Sequence, residues 1–201
     1  MMNADDRNRG KVKVVNYRYK FEGNFHYASP NSPIRDESGK LTGVTNPRDI
    51  THVHSYGAEA VFFESLSKRK IIASRCDDPD CGSKGSIFMP FRTYCPDCLS
   101  KNTNVDITDL AKRTGMIYSF MICERSGAFN SLPRPIKFIN IEFEGVCTIL
   151  MGYLSVGEPK MGMRVVPIFQ TKKPTYTILD LSWVPEGTAP SELPAGFTYA
   201  K

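Results

Sequence analysis

The chain has no uninterrupted apolar stretch of about 18 residues, so no helix is expected to cross a membrane. It has no internal repeat, which sets aside solenoids and propellers. The opening Met-Met-Asn-Ala-Asp-Asp-Arg-Asn-Arg lacks the apolar segment of a secretory leader, so a cytoplasmic protein is expected. Histidine is scarce, with three in 201 residues, and no nucleophile or carboxylate pair sits beside any of them. There is no Ser/His/Asp grouping and no cysteine in a polar, activating setting. No catalytic residue is therefore expected in this chain. Charge of one sign is modest. A net charge of +5 tolerates an anionic ligand without demanding nucleic acid.

What is present starts with cysteine. There are six, and four stand as Cys76-Asp-Asp-Pro-Asp-Cys81 and Cys95-Pro-Asp-Cys98. Two close pairs separated by a short loop are the spacing of a metal ribbon, each pair supplying two thiolates from one tight turn. Pro79, Gly82 and Pro96 are the turn formers. The reading is a structural Zn²⁺ held by Cys76, Cys81, Cys95 and Cys98. Two disulfides or four unrelated buried thiols are the alternatives. Four thiolates would leave no open position for a catalytic zinc. Ligand type alone leaves iron in a rubredoxin-like site open. Cysteines in metal spacing also fit a reducing cytosol.

An apolar fraction of 41% suffices for a core, and the length suits one domain, or a small module beside a larger one. Residues 1–11 are polar and read as a frayed terminus. Val12 to Tyr27 mixes β-formers with basic residues and reads as extended segments. Residues 28–56, rich in Ser, Pro, Asn, Gly and Thr, show little periodicity. A stretch this long without elements is read as disordered or as an arm lying on another chain. His26, His52 and His54 fall in this N-terminal region and are read as polar loop residues in preference to ligands or bases.

Ala58 to Lys68 has helical spacing, with Ala58, Val61, Phe62, Ser65 and Leu66 on one face and Phe63 on the other. Lys68, Arg69 and Lys70 suit the C-terminal dipole of that helix. With Arg92 they are also the candidates, by charge alone, for contact with an anionic ligand. Ile71 and Ile72 enter the ribbon as a strand, and Ile87 to Phe91 reads as an apolar hairpin covering the metal.

Beyond the ribbon the pattern reads as all-β. Val105–Leu110 is a short alternating run, and Gly115–Cys123 is a strand with Gly115 at its bend or bulge. A polar loop from Glu124 to Arg134 carries Ser126-Gly-Ala-Phe129. Strands follow over Pro135–Glu144, Val146–Leu154, Met161–Gln170 and Tyr176–Val184. Five strands of this length suggest a small closed barrel, with the Greek-key OB barrel as the simplest match. In Val146–Leu154 both alternating sets are apolar: Cys147, Ile149, Met151 and Tyr153 on one side, Val146, Leu150 and Leu154 on the other. The outer side is therefore expected to be covered, by this chain's helix and arm or by another protein. Cys123 and Cys147 are read as buried core thiols. The Pro-rich residues 185–201 read as an extended tail suited to wrapping a partner.

Residues from about 58 to 170 resemble a bacterial and archaeal family built from a short helix, a rubredoxin-like zinc ribbon and an acyl-CoA-associated OB fold. The resemblance rests on Phe62-Phe63, Phe88-Met-Pro-Phe-Arg92 before Cys95-Pro-Asp-Cys98, and Gly115-Met-Ile-Tyr-Ser-Phe120. It continues in Pro135-Ile-Lys-Phe-Ile-Asn-Ile and Met161-Gly-Met-Arg-Val-Val-Pro167, all in the right order. The first knuckle, Cys-x4-Cys, is wider than the usual Cys-x2-Cys. The resemblance implies a non-catalytic accessory subunit that pairs with a thiolase-fold catalytic subunit, the complex binding an acyl-CoA thioester. The implied reaction is thiolytic cleavage of a 3-oxoacyl-CoA such as benzoylsuccinyl-CoA. The alternatives are a subunit of an acyl-CoA aldolase or of a hydroxymethylglutaryl-CoA-synthase-like complex. A zinc-ribbon and OB nucleic-acid module is disfavoured, because the expected second and third barrel strands carry Glu142, Glu144 and apolar residues where phosphate would need cations. The expected layout is a mainly β chain: an arm over 1–56, helix and ribbon over 57–104, an OB fold over 105–184 and a tail over 185–201.

Overall fold

The computed structural model describes residues 11–16, 18–22, 26–27, 32–39, 41–45, 48–49, 51–53, 57–124 and 132–200. The chain divides into a unit over Met1–Tyr56 and a second over Gly57–Lys201.

The first unit is not an element-free arm. Strands β1 (Lys11–Val15) and β2 (Arg18–Glu22) pair antiparallel as a hairpin turning at Asn16, whose φ is 50°. Strands β3 (His26–Tyr27) and β6 (Arg48–Asp49) pair antiparallel and enclose a second hairpin of β4 (Ser32–Arg35) and β5 (Leu41–Thr45). Strand β7 (Thr51–Val53) then lies parallel to β1. The expectation of an unstructured 28–56 is corrected here. These strands span two to five residues, too short for a period-2 pattern to show. What marks them is turn chemistry, such as Asp36 accepting the Ser38 hydroxyl and N–H ahead of Gly39 at φ 82°.

The second unit opens with a 3₁₀ turn (Gly57–Glu59) and α1 (Ala60–Ser67). Phe62, Ser65 and Leu66 face inward as their spacing predicts, and Phe63 is half-buried, edge-on to Phe62 at 5.2 Å. The helix stops because Arg69 takes a left-handed φ of 61° and sends the chain into β8 (Ile72–Arg75). Strand β8 is the centre of a three-stranded sheet with β9 (Ile87–Phe88) and β10 (Thr103–Asp106) at its edges.

A second helix, α2 (Thr108–Thr114), follows where continuous β structure was expected. Ile107 and Ala111 sit four residues apart and are both buried, Asp109 lies in the first turn, and Lys112 and Arg113 lie in the last. Gly115 ends this helix and is not a bulge. A Cβ there would lie 2.9 Å from the carbonyl oxygens of both Ala111 and Val165, so only glycine allows the close approach. The bulge falls between Ile117 and Ser119.

The barrel strands are β11 (Met116–Cys123), β12 (Ile136–Glu142), β13 (Leu150–Tyr153), β14 (Val165–Gln170) and β15 (Leu181–Pro185). Antiparallel pairing joins β11 to β12, β12 to β13, and β14 to β15. Two bridges close the circle. Leu154 pairs parallel with Trp183 just past β13, and Met116 pairs antiparallel with Arg164 just before β14. The resulting order β11-β12-β13-β15-β14-β11, with one parallel contact between third and fifth strands, is the five-stranded Greek-key closure of an OB-like barrel. Trp183, Phe169, Ile117, Ile139, Ile141, Val165 and Leu181 fill it, and Phe62 and Leu66 of α1 and Ala111 of α2 belong to the same core.

Strands β13, β14 and β15 begin about four or five residues later than the sequence reading placed them, and the tail differs as well. Residues 146–149 turn to the ribbon, so β13 is shorter than the apolar run. Val146 bridges Ile87, the Cys147 N–H donates to the Ile87 carbonyl at 2.8 Å, and the Met89 N–H donates to Thr148 Oγ1 at 2.6 Å. Residues 185–201 fold back on the chain's own sheet, where β16 (Phe197–Tyr199) pairs antiparallel with β14. The Tyr199 hydroxyl donates to the Thr188 carbonyl at 2.6 Å, and Phe197 packs on the cluster of Ile136, Phe138 and Tyr153.

Candidate metal centre

Each knuckle begins with a buried cysteine one residue past a strand or bridge, Cys76 after β8 and Cys95 after the Tyr94–Lys101 bridge, and returns through a turn. After Cys76 the chain folds back at Gly85 (φ 80°), whose N–H donates to the Cys76 carbonyl at 2.7 Å. After Cys95 it folds back at Leu99 (φ 61°), whose N–H donates to the Cys95 carbonyl at 3.1 Å. The sequence reading named Pro79 and Gly82 as the turn formers of the first knuckle, and the left-handed residue there is Gly85. Leu99 carries no turn signal, because leucine rarely adopts this conformation. It is 74% exposed, so nothing packs its side chain.

The four cysteines named from spacing are brought together, with all four sulfurs within 4.8 Å of one another. Cys76 Sγ lies 3.8 Å from Cys98 Sγ, and Cys81 Sγ lies 3.9 Å from Cys95 Sγ. A disulfide would need about 2.05 Å. Four sulfurs about 2.3 Å from a central ion at tetrahedral angles sit about 3.8 Å apart, the spacing of these two pairs. Cys76 and Cys95 are buried, and Cys81 and Cys98 are half-buried. Four buried or half-buried thiols this close can hold a metal such as zinc.

The electrostatics pull the cysteines in opposite directions, raising Cys76 and Cys81 and lowering Cys95. The backbone N–H of Cys98 and then that of Asp97 point at the Cys95 sulfur and, against burial, bring its pKa down to about 7. At Cys76 the Asp78 backbone N–H also favours the thiolate. Burial and the sulfurs of Cys95, Cys81 and Cys98 outweigh it and push the pKa up to about 12. Four sulfurs in this space cannot all ionise unless a cation joins them.

Phe88 packs against Cys76 and Cys95 as the expected apolar cover, whereas Met89 and Phe91 turn into the barrel core. The other candidates separate. Lys68, Arg69 and Lys70 line one cleft of about 410 Å³ with Asp106, Thr108 and Asp109, and Arg92 does not line it. Lys68 is paired with Glu64 at 2.6 Å and Lys70 with Asp106 at 3.0 Å, so two of the three cations already face carboxylates. His26 lies in β3 and His52 in β7, on different sheets, and His54 lies outside the described residues. The segment Ser126-Gly-Ala-Phe129 also lies outside them.

The reading of Cys123 and Cys147 as buried core thiols is corrected. Cys147 is exposed and Cys123 is half-buried. Cys147 leaves the barrel because its stretch pairs with the ribbon. The expected cover over the outer set of Val146–Leu154 is likewise not supplied by the described residues of this unit. Tyr153 is buried, but Ile149 and Met151 are exposed, the latter 52%. Tyr118, Phe120, Met121 and Ile122 of β11 are exposed as well. Between α1 and β13 runs a groove of about 370 Å³ walled by Phe62, Phe63, Phe91, Ile149 and Met151. Among the described residues no helix is long and apolar enough to cross a membrane.

No family model and no curated protein matches the chain. Solved structures do. One is described as a protein of unknown function from the DUF35 family of Sulfolobus solfataricus. It is 26% identical, with 65% of this chain and 87% of that one covered and a TM-score of 0.46. Another is the Ltp2-ChsH2(DUF35) aldolase, 24% identical over 63% of this chain and 93% of that one, with a TM-score of 0.49. Both neighbours are thus described as DUF35 proteins.

Proposed function

We propose that this chain is a non-catalytic, zinc-containing accessory subunit of a thiolase-fold enzyme complex acting on acyl-CoA thioesters. Its finer reading is the small subunit of the thiolase that cleaves benzoylsuccinyl-CoA in anaerobic toluene degradation. The observation that carries the accessory role is the number of large apolar side chains left exposed on β11 and beside and on β13: Tyr118, Phe120, Met121, Ile122, Ile149 and Met151. A surface of this kind belongs to an interface more than to a free monomer. A four-thiolate centre offers no open coordination position, so its metal would brace the ribbon and the chemistry would lie in the partner.

The test is affinity purification of the tagged chain from its own cells, with mass spectrometry and a zinc assay on the same eluate. A stoichiometric thiolase-fold protein, and thiolysis of benzoylsuccinyl-CoA by the complex, is the expected result. Co-elution of nucleic acid, or of nothing, would overturn the reading. Turnover of a CoA thioester by the chain alone would overturn the non-catalytic assignment.

A further inference from the structure

The two knuckles are joined by a reciprocal pair of side-chain bonds. Ser83, two residues past Cys81, donates its hydroxyl to the Asp97 carboxylate inside the second knuckle. Ser100, two residues past Cys98, donates its hydroxyl to the Asp78 carboxylate inside the first, at 2.5 Å. The same relation therefore runs in both directions across the site. Each aspartate also belongs to the backbone scaffold of its own knuckle. Asp78 Oδ1 accepts the Asp80 N–H at 3.0 Å, and its carbonyl accepts the Cys81 N–H at 3.3 Å. The Ser83 N–H, in turn, donates to Cys81 Sγ at 3.3 Å.

The halves of the site also meet through the pairing of β8 with β10, which sets Arg75 opposite Thr103, and through Phe88. The wide Cys-x4-Cys turn is the half with more conformational freedom, since each added residue brings its own backbone entropy. Asp78 lies within that widened stretch, and Ser100 holds it from the opposite side. We propose that Ser83–Asp97 and Ser100–Asp78 are positioning pairs that clamp the knuckles at the sulfur spacing the metal requires and so set how slowly the metal leaves. The inference rests on the reading of Cys76, Cys81, Cys95 and Cys98 as metal ligands. Outer partners of this kind are typically worth about 10- to 100-fold in metal affinity.

The test loads the full chain with Co²⁺, whose thiolate charge-transfer band reports the site directly, and follows release to an excess of chelator. Ser83→Ala and Ser100→Ala should each release metal roughly 10-fold faster than wild type or more. Ser83→Ala combined with Asp97→Ala should release it no faster than either alone, because one bond is lost in all three. Ser83→Thr keeps the hydroxyl and should restore the wild-type rate. Emission from Trp183, buried in the barrel, checks that each variant is folded. Alanine variants within twofold of wild type, additive effects in the cycle, or failure of the threonine rescue would overturn the positioning role. A wild-type chain that takes up no Co²⁺ would overturn the metal reading itself, and this inference with it.

Discussion

The indole of Trp183 occupies the space in which a side chain at Gly152 would lie. A Cβ built on Gly152 falls 2.8 Å from Trp183 Nε1 and 3.0 Å from its Cδ1. Trp183 is fully buried and sits 5.7 Å from Phe143, and its N–H has no hydrogen-bond partner among the described residues. The indole is thus held by packing alone, at the junction where the third and fifth barrel strands run parallel. Gly152→Ala should lower unfolding free energy by about 1–3 kcal/mol through overpacking. Chemical denaturation followed by Trp183 emission measures it, and an unchanged midpoint would show that the indole can move aside.

Asp180 is a fully buried carboxylate at the entrance to β15. It accepts the Thr175 N–H at 2.8 Å, the Thr175 hydroxyl at 2.9 Å and the Tyr176 N–H at 2.7 Å, shaping a turn in which Tyr176 has a φ of 55°. Asp180→Ala removes the buried acceptor of these three hydrogen bonds and should destabilise by about 1–3 kcal/mol. Asp180→Asn keeps an acceptor oxygen and should lose less. Equal losses in the two variants would count against the hydrogen-bond account.

Asp106 links the cationic cleft to stability at low pH. Burial raises its pKa, but the hydroxyl and N–H of Thr108, together with Lys70, outweigh burial and hold the carboxyl below the usual carboxylate range. The sign follows. A group whose folded pKa is depressed contributes in full above its unfolded pKa, and the contribution is lost as pH falls through the folded value. Wild type should therefore lose stability as pH falls below about 4, and Asp106→Asn should lose less over that window. Parallel thermal melts across the range check it, and identical slopes would remove Asp106 from the acid response.

Removing the metal separates the ribbon cysteines from the others. Cys95→Ser should abolish tight metal binding and lower the melting temperature, because binding free energy at such a site is folding free energy. Cys147→Ser, at an exposed position outside the ribbon, should leave metal content unchanged. Elemental analysis of the purified variants decides between them.

Met121 and Met151, 59% and 52% exposed, test the interface. Met121→Asp or Met151→Asp should change this chain's own stability by no more than about 0.5 kcal/mol, as for other surface substitutions. Both should sharply reduce co-purification of a partner. Capture at wild-type levels by the double variant would place the interface elsewhere.

The clustering of Cys76, Cys81, Cys95 and Cys98 was legible in their spacing, and the barrel in the turn formers between its strands. The second helix was missed for a different reason. Asp106 to Gly115 is short, and a single buried pair, Ile107 and Ala111, carries its period. The N-terminal strands are shorter still, and pairing partners, not periodicity, define them. The tail misled because proline density suggested an extended segment. Phe197 and Tyr199 nevertheless give it an edge that pairs with β14. At Val146–Leu154 the apolar pattern pointed to a covered outer side, which the described residues of this unit do not supply. It could not reveal that part of the run serves the ribbon.

That shared stretch ties two equilibria together. The bonds from Cys147 to Ile87 and from Met89 to Thr148 join the ribbon to the segment leading directly into the exposed Ile149 and Met151. If the ribbon holds a metal and a partner occupies the apolar groove, loss of the metal would loosen one side of that groove and the partner would hold the ribbon closed. Thermodynamic reciprocity then requires each event to strengthen the other by the same factor. Metal should then bind more tightly to the assembled complex than to the isolated chain, which would make the ribbon a built-in gauge of assembly.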